Sequence, residues 1–252
     1  MKNTVLITGG SQRIGALISK RVAQEGWNII IHYNKSKKKA LNLKKKLSCY
    51  KINICCLKAD LSKESDLKKL FNLAKKKMGN INCLINNAST FELDSIENVK
   101  KKKWDYHINT NVWAPIFLIQ QFVKNLPSKK NGDIVNILDQ RVVNPTPFFM
   151  TYTLTKSTMW TLTKTLALAL APNIKVNAIG PGPTFQSKRQ SKKQFKNQYT
   201  KIPLKKASDP KDIAEAVIFI LKSNSLTGQL INIDSGQHLG WSHENNKKIL
   251  DE

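Results

Sequence analysis

The alternation of apolar, β-rich runs with amphipathic helical patterns limits most strongly how this chain can fold. The apolar runs lie at 4–8, 28–33, 53–58, 83–86, 133–138, 175–179 and 229–233. Helical patterns separate them at 13–25, 37–47, 64–78, 99–126, 151–170 and 210–221. Strands that are apolar along their length, with helices between them, are typical of a parallel sheet covered on both faces. The pattern predicts an α/β fold: a Rossmann-type, doubly wound, seven-stranded parallel sheet with helices on both faces.

Neither an internal repeat nor a linker divides the chain, so residues 1–252 are predicted to form a single domain. Two stretches break the alternation. The segment 183–203 is polar, contains few apolar residues and follows a strand end, which predicts a mobile loop that serves as a substrate lid. The segment 241–252 is charged and irregular, and we expect it to form a C-terminal tail.

Composition narrows the class of protein. No apolar run is long enough to span a bilayer, and the first residues lack the pattern of a signal peptide, so we expect a cytoplasmic protein without membrane association. The four cysteines show no CxxC spacing, which favours buried free thiols over a metal site or disulfides.

The formal net charge of +25 is the unusual feature of the composition. Its lysines come in short runs within the helical patterns, on the predicted polar faces, and no exposed aromatic residues alternate with them as in single-strand binders. We therefore expect solvated helix faces and no specific nucleic-acid binding. A non-catalytic nucleotide- or nucleic-acid-binding protein stays open as an alternative, and a positive field favours a phosphate-bearing cofactor.

A glycine-containing turn, GGSQRIG, joins the first predicted strand to the first helix. Glycines let the backbone approach a pyrophosphate, and the free N–H groups of a helix N-terminus bind it. The turn predicts a dinucleotide site with contacts from Gly9, Ser11, Arg13, Ile14 and Gly15, and the Arg13 guanidinium is expected beside the phosphates.

The end of the second strand, IIIHYNKS, indicates which dinucleotide binds. An NAD enzyme usually carries a carboxylate here, which bonds the ribose hydroxyls. This chain has no carboxylate but offers a cation and hydrogen-bond donors, which suit a 2′-phosphate, so the predicted cofactor is NADP(H). The predicted contacts are His32, Tyr33, Asn34, Lys35 and Ser36.

Two further strand ends should face the same cofactor, because ligands bind at the carboxyl edge of such sheets. After the third strand, Asp60 can accept a hydrogen bond from the adenine amino group, with Leu61 beside it. After the fourth strand, Asn87, Ala88 and Ser89 are expected at this edge.

The segment YTLTK places Tyr152 and Lys156 four residues apart, on one face of a long helix. An ammonium near the phenol is expected to lower the pKa of Tyr152, which suits a general acid toward a carbonyl or imine. Lys156 can also reach ribose hydroxyls. Asp139 lies thirteen residues before Tyr152, at the end of the fifth strand.

These motifs together resemble the short-chain dehydrogenases/reductases over almost the whole chain. The glycine turn is similar to TGxxxGxG with Arg13 at the middle glycine, and NNAS is similar to NNAG with Ser89 replacing the glycine. The resemblance implies that Asn111 in TNVWAPIFL is the structural and relay asparagine. It also implies that Pro181, Gly182 and Thr184, in the PG motif, line the nicotinamide, and that the protein self-associates as a homotetramer or dimer.

Asp139 occupies the position where this family normally has serine. The pteridine and dihydromonapterin reductases carry aspartate there and arginine in the glycine turn, and HYNKS and NASTF are similar to their second- and fourth-strand segments. The resemblance implies that Phe91 stacks on a pterin ring, and that Arg13 and Ser89 contact substrate and cofactor phosphate. It implies that Asp139 and Tyr152 form a proton-donating pair, with the protonation state of Asp139 open.

The sequence thus predicts an NADPH-dependent reductase that transfers hydride to a C=N or C=O group, with a dihydropteridine as substrate. One alternative is a carbonyl reductase of the same family, acting on a 3-oxoacyl thioester or a quinone. The physiological substrate, the direction of the reaction and the form of the closed lid are left open by the sequence.

Overall fold

Seven parallel strands form one sheet in the computed structural model, which describes residues 2–128 and 130–239. The sheet order is β3-β2-β1-β4-β5-β6-β7. The strands are β1 Thr4–Ile7, β2 Asn28–Tyr33, β3 Ile54–Lys58, β4 Cys83–Asn86, β5 Gly132–Ile137, β6 Ile174–Pro181 and β7 Leu230–Ile233. The predicted doubly wound, seven-stranded fold is confirmed.

Helices connect the strands and cover both faces of the sheet. They are α1 Arg13–Gln24, α2 Lys37–Leu47, α3 Glu64–Met78, α4 Lys101–Ile108, α5 Ala114–Asn125, α6 Met150–Leu170, α7 Lys192–Thr200 and α8 Pro210–Lys222. The predicted single helix over 99–126 contains a π-helical turn, Asn109–Trp113, between α4 and α5. Such single turns are frequent at functional sites.

Successive side chains of each buried strand point to opposite faces of the sheet, so the core consists of one cluster on each face. Val5 and Ile7 of β1 belong to a cluster that includes Ile18 of α1 and Val217 of α8. Leu6, which points to the other face, belongs to a cluster that includes Leu118 of α5. Successive residues of one strand are therefore all buried, as expected for a central parallel strand.

The strand order reverses at β1. The chain runs outward from β1 to β2 and β3, and then returns to β4 on the other side of β1. The loops after β1 and β4 diverge at this point and leave a crevice at the carboxyl edge of the sheet. The predicted cofactor residues follow β1, β2, β3 and β4, so they converge on this crevice.

The segment 183–203 is not the irregular loop that its composition predicted, because α7 lies within it. Ser191 and Gln194 form a reciprocal capping box at the start of this helix. Phe195 and Tyr199, one helical turn apart, pack with ring centroids 5.2 Å apart. The S-x-x-Q spacing was the local signal for a helix start.

Other composition-based expectations have mixed outcomes. The lysines of the runs 37–39, 44–46, 75–77 and 100–103 are all exposed, as expected for solvated helix faces. Cys83 is buried, but Cys49 is an exposed free thiol because it lies in the turn after α2. No helix in the described ranges is long and apolar enough to cross a membrane. The predicted tail, 241–252, lies outside the described residues.

Candidate active site

The turn between β1 and α1 is closed tightly upon itself. Gly9 has a φ of +61°, and a side chain at Gly15 would lie 2.3 Å from the carbonyl oxygen of Gly9. Asn87, after β4, donates from its side-chain amide to the carbonyl oxygens of Thr8 and Gly9 at 2.9 and 3.2 Å. The turn is therefore a rigid cradle that leaves the N–H groups at the start of α1 for an anion.

Arg13 occupies the middle-glycine position with a φ of 51°, a left-handed conformation that favours glycine. Its guanidinium donates to the carbonyl oxygens of Phe185 and Gln186 at 3.4 and 3.5 Å and lies 5.1 Å from the Phe185 ring centroid. Burial lowers the pKa of Arg13. The side chain therefore contacts the segment 183–203, whereas the sequence predicted a contact with cofactor phosphate.

His32 lies beneath the turn, so its side chain does not face the crevice. Nδ1 accepts from the Gly9 N–H at 3.0 Å, and Nε2 lies 3.1 Å from the carbonyl oxygen of Ala59. The ring is 2% exposed, and burial lowers the pKa of His32 to about 4. The predicted direct contact with a 2′-phosphate is replaced by a structural link between the turn and the end of β3.

This buried imidazole predicts a pH dependence of stability. The pKa of His32 is about 4 in the folded protein, against 6.5 for an unperturbed histidine. The folded protein binds fewer protons between these values, so its stability is complete above pH 6.5 and falls as the pH drops toward 4. We expect a loss of about 3 kcal/mol in unfolding free energy from this group.

The matched variant is His32→Gln, whose amide can make both hydrogen bonds without titrating. Urea unfolding at several pH values between 7 and 4 should show a shallower acid loss for the variant than for the unmodified protein. Parallel pH profiles would contradict the assignment.

The corner beyond the turn joins the ends of β1 and β2. The hydroxyl oxygens of Ser11 and Ser36 are 2.7 Å apart, and Lys39 Nζ donates to Gln12 Oε1 at 2.8 Å. Lys35 is exposed beside Ser36. Two hydroxyls and the Lys39 ammonium thus lie at this corner, with Lys35 exposed next to Ser36 in the chain, and Lys39 is a member of it that sequence reasoning missed.

The remaining predicted residues of the cofactor crevice fall into two groups. The first group lies at the ends of β2 and β3. In it, Tyr33 and Leu61 are buried, Asn34 is partly exposed, and Asp60 Oδ1 accepts from the backbone and hydroxyl of Ser62 at 3.1 and 2.8 Å. A second group lines one cavity of about 260 Å³ together with Arg13: Ile14, Asn87, Ser89, Pro181, Gly182 and Thr184.

Asn111 lies in the π-helical turn and joins two loops of the site. Its Oδ1 accepts from the Thr90 backbone at 2.8 Å and the Ser89 hydroxyl at 3.1 Å, and its Nδ2 donates to Thr155 Oγ1 at 3.1 Å. Asn111 is 3% exposed. Asn111 therefore fixes the segment after β4 against α6. Its partner on that helix, Thr155, lies between Tyr152 and Lys156 in sequence.

Tyr152, Asp139 and Lys156 meet at the floor of the cavity. The Tyr152 hydroxyl donates to Asp139 Oδ2 at 2.8 Å, and Lys156 Nζ donates to the carbonyl oxygen of Ile137 at 2.8 Å. All three hydrogen bonds described for the Asp139 carboxyl group are accepted by its oxygens. The carboxyl oxygens of Asp139 thus serve as acceptors for Tyr152 and Arg141.

The expected lowering of the phenol pKa by Lys156 is wrong for this structure. Burial raises the pKa of Tyr152 well above 10, Asp139 raises it further, and Arg141 opposes them. Burial lowers the pKa of Lys156 to about 8, although Asp139 opposes this. Desolvation thus has a larger effect on the pKa of Tyr152 and of Lys156 than their proximity to each other, because both groups lie in the interior.

The aromatic wall of the cavity holds residues that the sequence analysis did not find. The rings of Phe91 and Phe149 stack with centroids 4.3 Å apart, and the edge of Tyr152 packs against Phe91 at 4.6 Å. Arg141 bonds Asp139 and lies beside both phenylalanines. Phe91 thus lines the cavity, and one face of its ring contacts Phe149.

A dinucleotide cradle and a Tyr-Lys pair on one crevice define an oxidoreductase of the Rossmann class. The short chain dehydrogenase family matches this chain over residues 3–197. The chain belongs to this family.

Similar solved structures support both the fold and the resemblance to the pterin-related branch of the family. FolM alternative dihydrofolate reductase 1 from Brucella canis, complexed with NADP, superposes with a TM-score of 0.90 at 36% identity, over 98% of each chain. The Brucella suis protein of the same name, also with NADP, gives 0.88 at 38%, over 95% of this chain and 96% of that one. The resemblance to the pterin-related branch is therefore confirmed.

Sequence relatives include another member of the family. The 3-oxoacyl-(acyl-carrier-protein) reductase FabG of Staphylococcus epidermidis is 29% identical over 244 residues, which cover 95% of this chain and 100% of that protein.

Proposed function

We propose that this protein is an NADPH-dependent reductase whose substrate is a pterin, such as a dihydropteridine. The observation that carries the proposal is Asp139, which occupies the position of the family's serine and accepts the hydroxyl of Tyr152 at 2.8 Å. Phe91 lines the same cavity, where one face of its ring stacks on Phe149 and the Arg189 Cζ lies 5.0 Å from its centroid. A carboxylate and aromatic rings in one cavity suit a substrate that has a flat ring and N–H groups, as a pterin has.

The crevice fits NADPH. The cradle cannot accept a Cβ at Gly15, so the backbone is kept free for a pyrophosphate. We assign the 2′-phosphate to the corner of Ser11, Lys35, Ser36 and Lys39, and the nicotinamide to the side of Pro181, Gly182 and Thr184. Two similar structures are complexes with NADP, which supports this choice. When bound, NADPH supplies the hydride.

The 2′-phosphate assignment predicts the effect of Ser36→Asp. Because aspartate is also a good helix N-cap, the variant should keep α2 intact while it places a carboxylate against the phosphate. We expect NADPH affinity to fall about 100-fold and NADH affinity to change little, as measured by fluorescence titration. The uncharged Ser36→Asn is the control, and an equal loss for both cofactors in Ser36→Asp would refute the assignment.

The chain's own residues provide the proton. Tyr152 is assigned as the general acid, because its hydroxyl lies at the floor of the cavity and carries a proton at neutral pH. The Asp139 carboxylate orients this hydroxyl and can accept hydrogen bonds from a pterin's ring N–H or amino group. Lys156 is assigned to the ribose hydroxyls, and Arg13 and the lid segment close the cavity and exclude water.

Reduction of a 3-oxoacyl thioester is the second candidate, favoured by the similarity to the Staphylococcus epidermidis FabG protein. Purified enzyme should oxidise NADPH with dihydrobiopterin or dihydromonapterin and fail with acetoacetyl-coenzyme A and quinones. The reverse pattern would select the carbonyl reductase. Salt-sensitive nucleic-acid binding without NADPH binding would favour the non-catalytic alternative.

We also propose that the protein self-associates as a dimer or tetramer. Leu154 and Leu168 of α6 and Phe219 of α8 are large apolar residues that are 46%, 84% and 58% exposed. Apolar residues that form a contiguous exposed patch are typical of subunit contacts. Light scattering at micromolar concentration tests this, and a monomeric mass would contradict it.

A further inference from the structure

Arg141 fixes both oxygens of the Asp139 carboxylate. It lies two residues after Asp139, in the 3-10 turn that follows β5. Its backbone N–H donates to Asp139 Oδ1 at 2.9 Å, and its Nη1 donates to Asp139 Oδ2 at 3.3 Å. Oδ2 is also the atom that accepts the Tyr152 hydroxyl, so Arg141 and Tyr152 share one acceptor.

The rings of Phe91 and Phe149, which form the aromatic wall of the cavity, in turn hold the Arg141 guanidinium. Arg141 Cζ lies 5.5 Å from the Phe91 ring centroid and 5.3 Å from that of Phe149. Its side chain is 8% exposed, and that of Asp139 is 14% exposed. A planar guanidinium can lie against rings and still bond a carboxylate through a defined N–H direction, which an ammonium cannot do as well.

The choice of arginine at this position goes against the composition of the chain. Only four of its 42 basic Lys and Arg residues are arginines. Arg13 and Arg141 line the cavity, and Arg189 of the lid donates to the carbonyl oxygen of Phe91 at 3.1 Å. The fourth, Arg21 of α1, pairs with Glu25, which follows that helix, and with Glu215 of α8. Arginine is thus used mainly where the cavity requires its geometry.

We infer that Arg141 is a positioning residue of the reductase: it fixes the Asp139 carboxylate where that group accepts the Tyr152 hydroxyl, and thereby holds in place the phenol that donates the proton. The inference deepens the proposed function, because it takes Tyr152 as the proton donor. Without the Arg141 side chain, Asp139 keeps the Oδ1 bond to the backbone N–H of residue 141 but loses the bond at Oδ2, so the acceptor of the Tyr152 hydroxyl is held less firmly. The expected defect is in the proton-transfer step and not in cofactor binding.

Arg141→Ala tests the inference in the intact enzyme with whichever substrate, dihydrobiopterin or acetoacetyl-coenzyme A, the unmodified protein reduces. We expect kcat to fall about 10- to 100-fold, with the NADPH dissociation constant unchanged. Guanidinium chloride at millimolar concentration should restore part of the lost kcat, and Arg141→Lys should retain an intermediate kcat. Arg21→Ala is the matched control, with normal kcat and no response to guanidinium.

Full kcat in Arg141→Ala, or a loss that neither guanidinium nor Arg141→Lys relieves, would overturn the inference. Because the comparison uses either substrate, an incorrect pterin assignment leaves it intact.

A second measurement needs no substrate at all. If Arg141 acts on Tyr152 through Asp139, Arg141→Met and Tyr152→Phe should be non-additive in denaturant unfolding. We expect a coupling of roughly fivefold or more in the unfolding equilibrium constant. The pair Arg21→Met and Tyr152→Phe is the control and should be additive. Additivity in the Arg141 pair would sink the inference even if the protein reduces neither substrate.

Discussion

Tyr152→Phe is expected to lower kcat about 10³-fold while it leaves the NADPH dissociation constant within about twofold of the original value. The hydroxyl that is removed bonds Asp139, at the floor of the cavity, so cofactor affinity does not depend on it. Phenylalanine keeps the ring that packs at 4.6 Å against Phe91, so the wall of the cavity should persist. Stopped-flow measurement of NADPH oxidation separates the chemical step from product release.

Tyr50→Phe is the matched control, because Tyr50 loses the same hydroxyl while it packs against the core cluster that includes Ile18. It should keep full activity. If Tyr152→Phe retains more than about a tenth of kcat, another group donates the proton, and the role of Tyr152 has to be abandoned.

The fold was predictable because its signal is distributed along the chain. Seven apolar runs separated by helical patterns permit few arrangements, and each strand was placed within two residues of its observed bounds. The α7 helix was missed for the opposite reason. It has no buried residue and only one apolar pair at helical spacing, Phe195 and Tyr199, and the capping box of Ser191 and Gln194 indicates where it begins.

The members of the candidate site were predictable wherever a strand end or a motif marks them. Asp139, Tyr152 and Asn87 fall on the cavity as expected. The directions in which side chains point were harder to predict from the sequence. His32 and Arg13 were expected at phosphates, but His32 turns inward to Gly9 and Arg13 turns toward the lid. A one-dimensional pattern locates a residue at an edge and does not say which of its neighbours it contacts.

Long-range packing explains the residues that were missed. Phe149 and Phe91 are far apart in sequence, and their stacking depends on how the chain enters α6. The sign of the Tyr152 pKa shift was missed for a related reason, because burial is a property of the assembled fold and not of the YxxxK spacing.

Gly15→Ala is expected to weaken NADPH binding more than about 100-fold and to destabilise the protein by roughly 1–3 kcal/mol. The added Cβ would lie 2.3 Å from the carbonyl oxygen of Gly9 and 2.6 Å from Asn87 Nδ2. The nearer atom belongs to the backbone, so the turn itself has to open. Its opening also breaks the Asn87 bonds that tie it to β4.

Gly26→Ala separates this steric effect from backbone strain. Gly26 has a φ of +79°, and no atom lies within 4 Å of its virtual Cβ. Alanine there should cost roughly 1–2 kcal/mol of stability and leave the NADPH dissociation constant unchanged. Fluorescence titration and denaturant unfolding of both variants give the comparison. If Gly15→Ala loses stability but binds NADPH normally, the pyrophosphate does not lie on this turn, and the assigned orientation of the cofactor is incorrect.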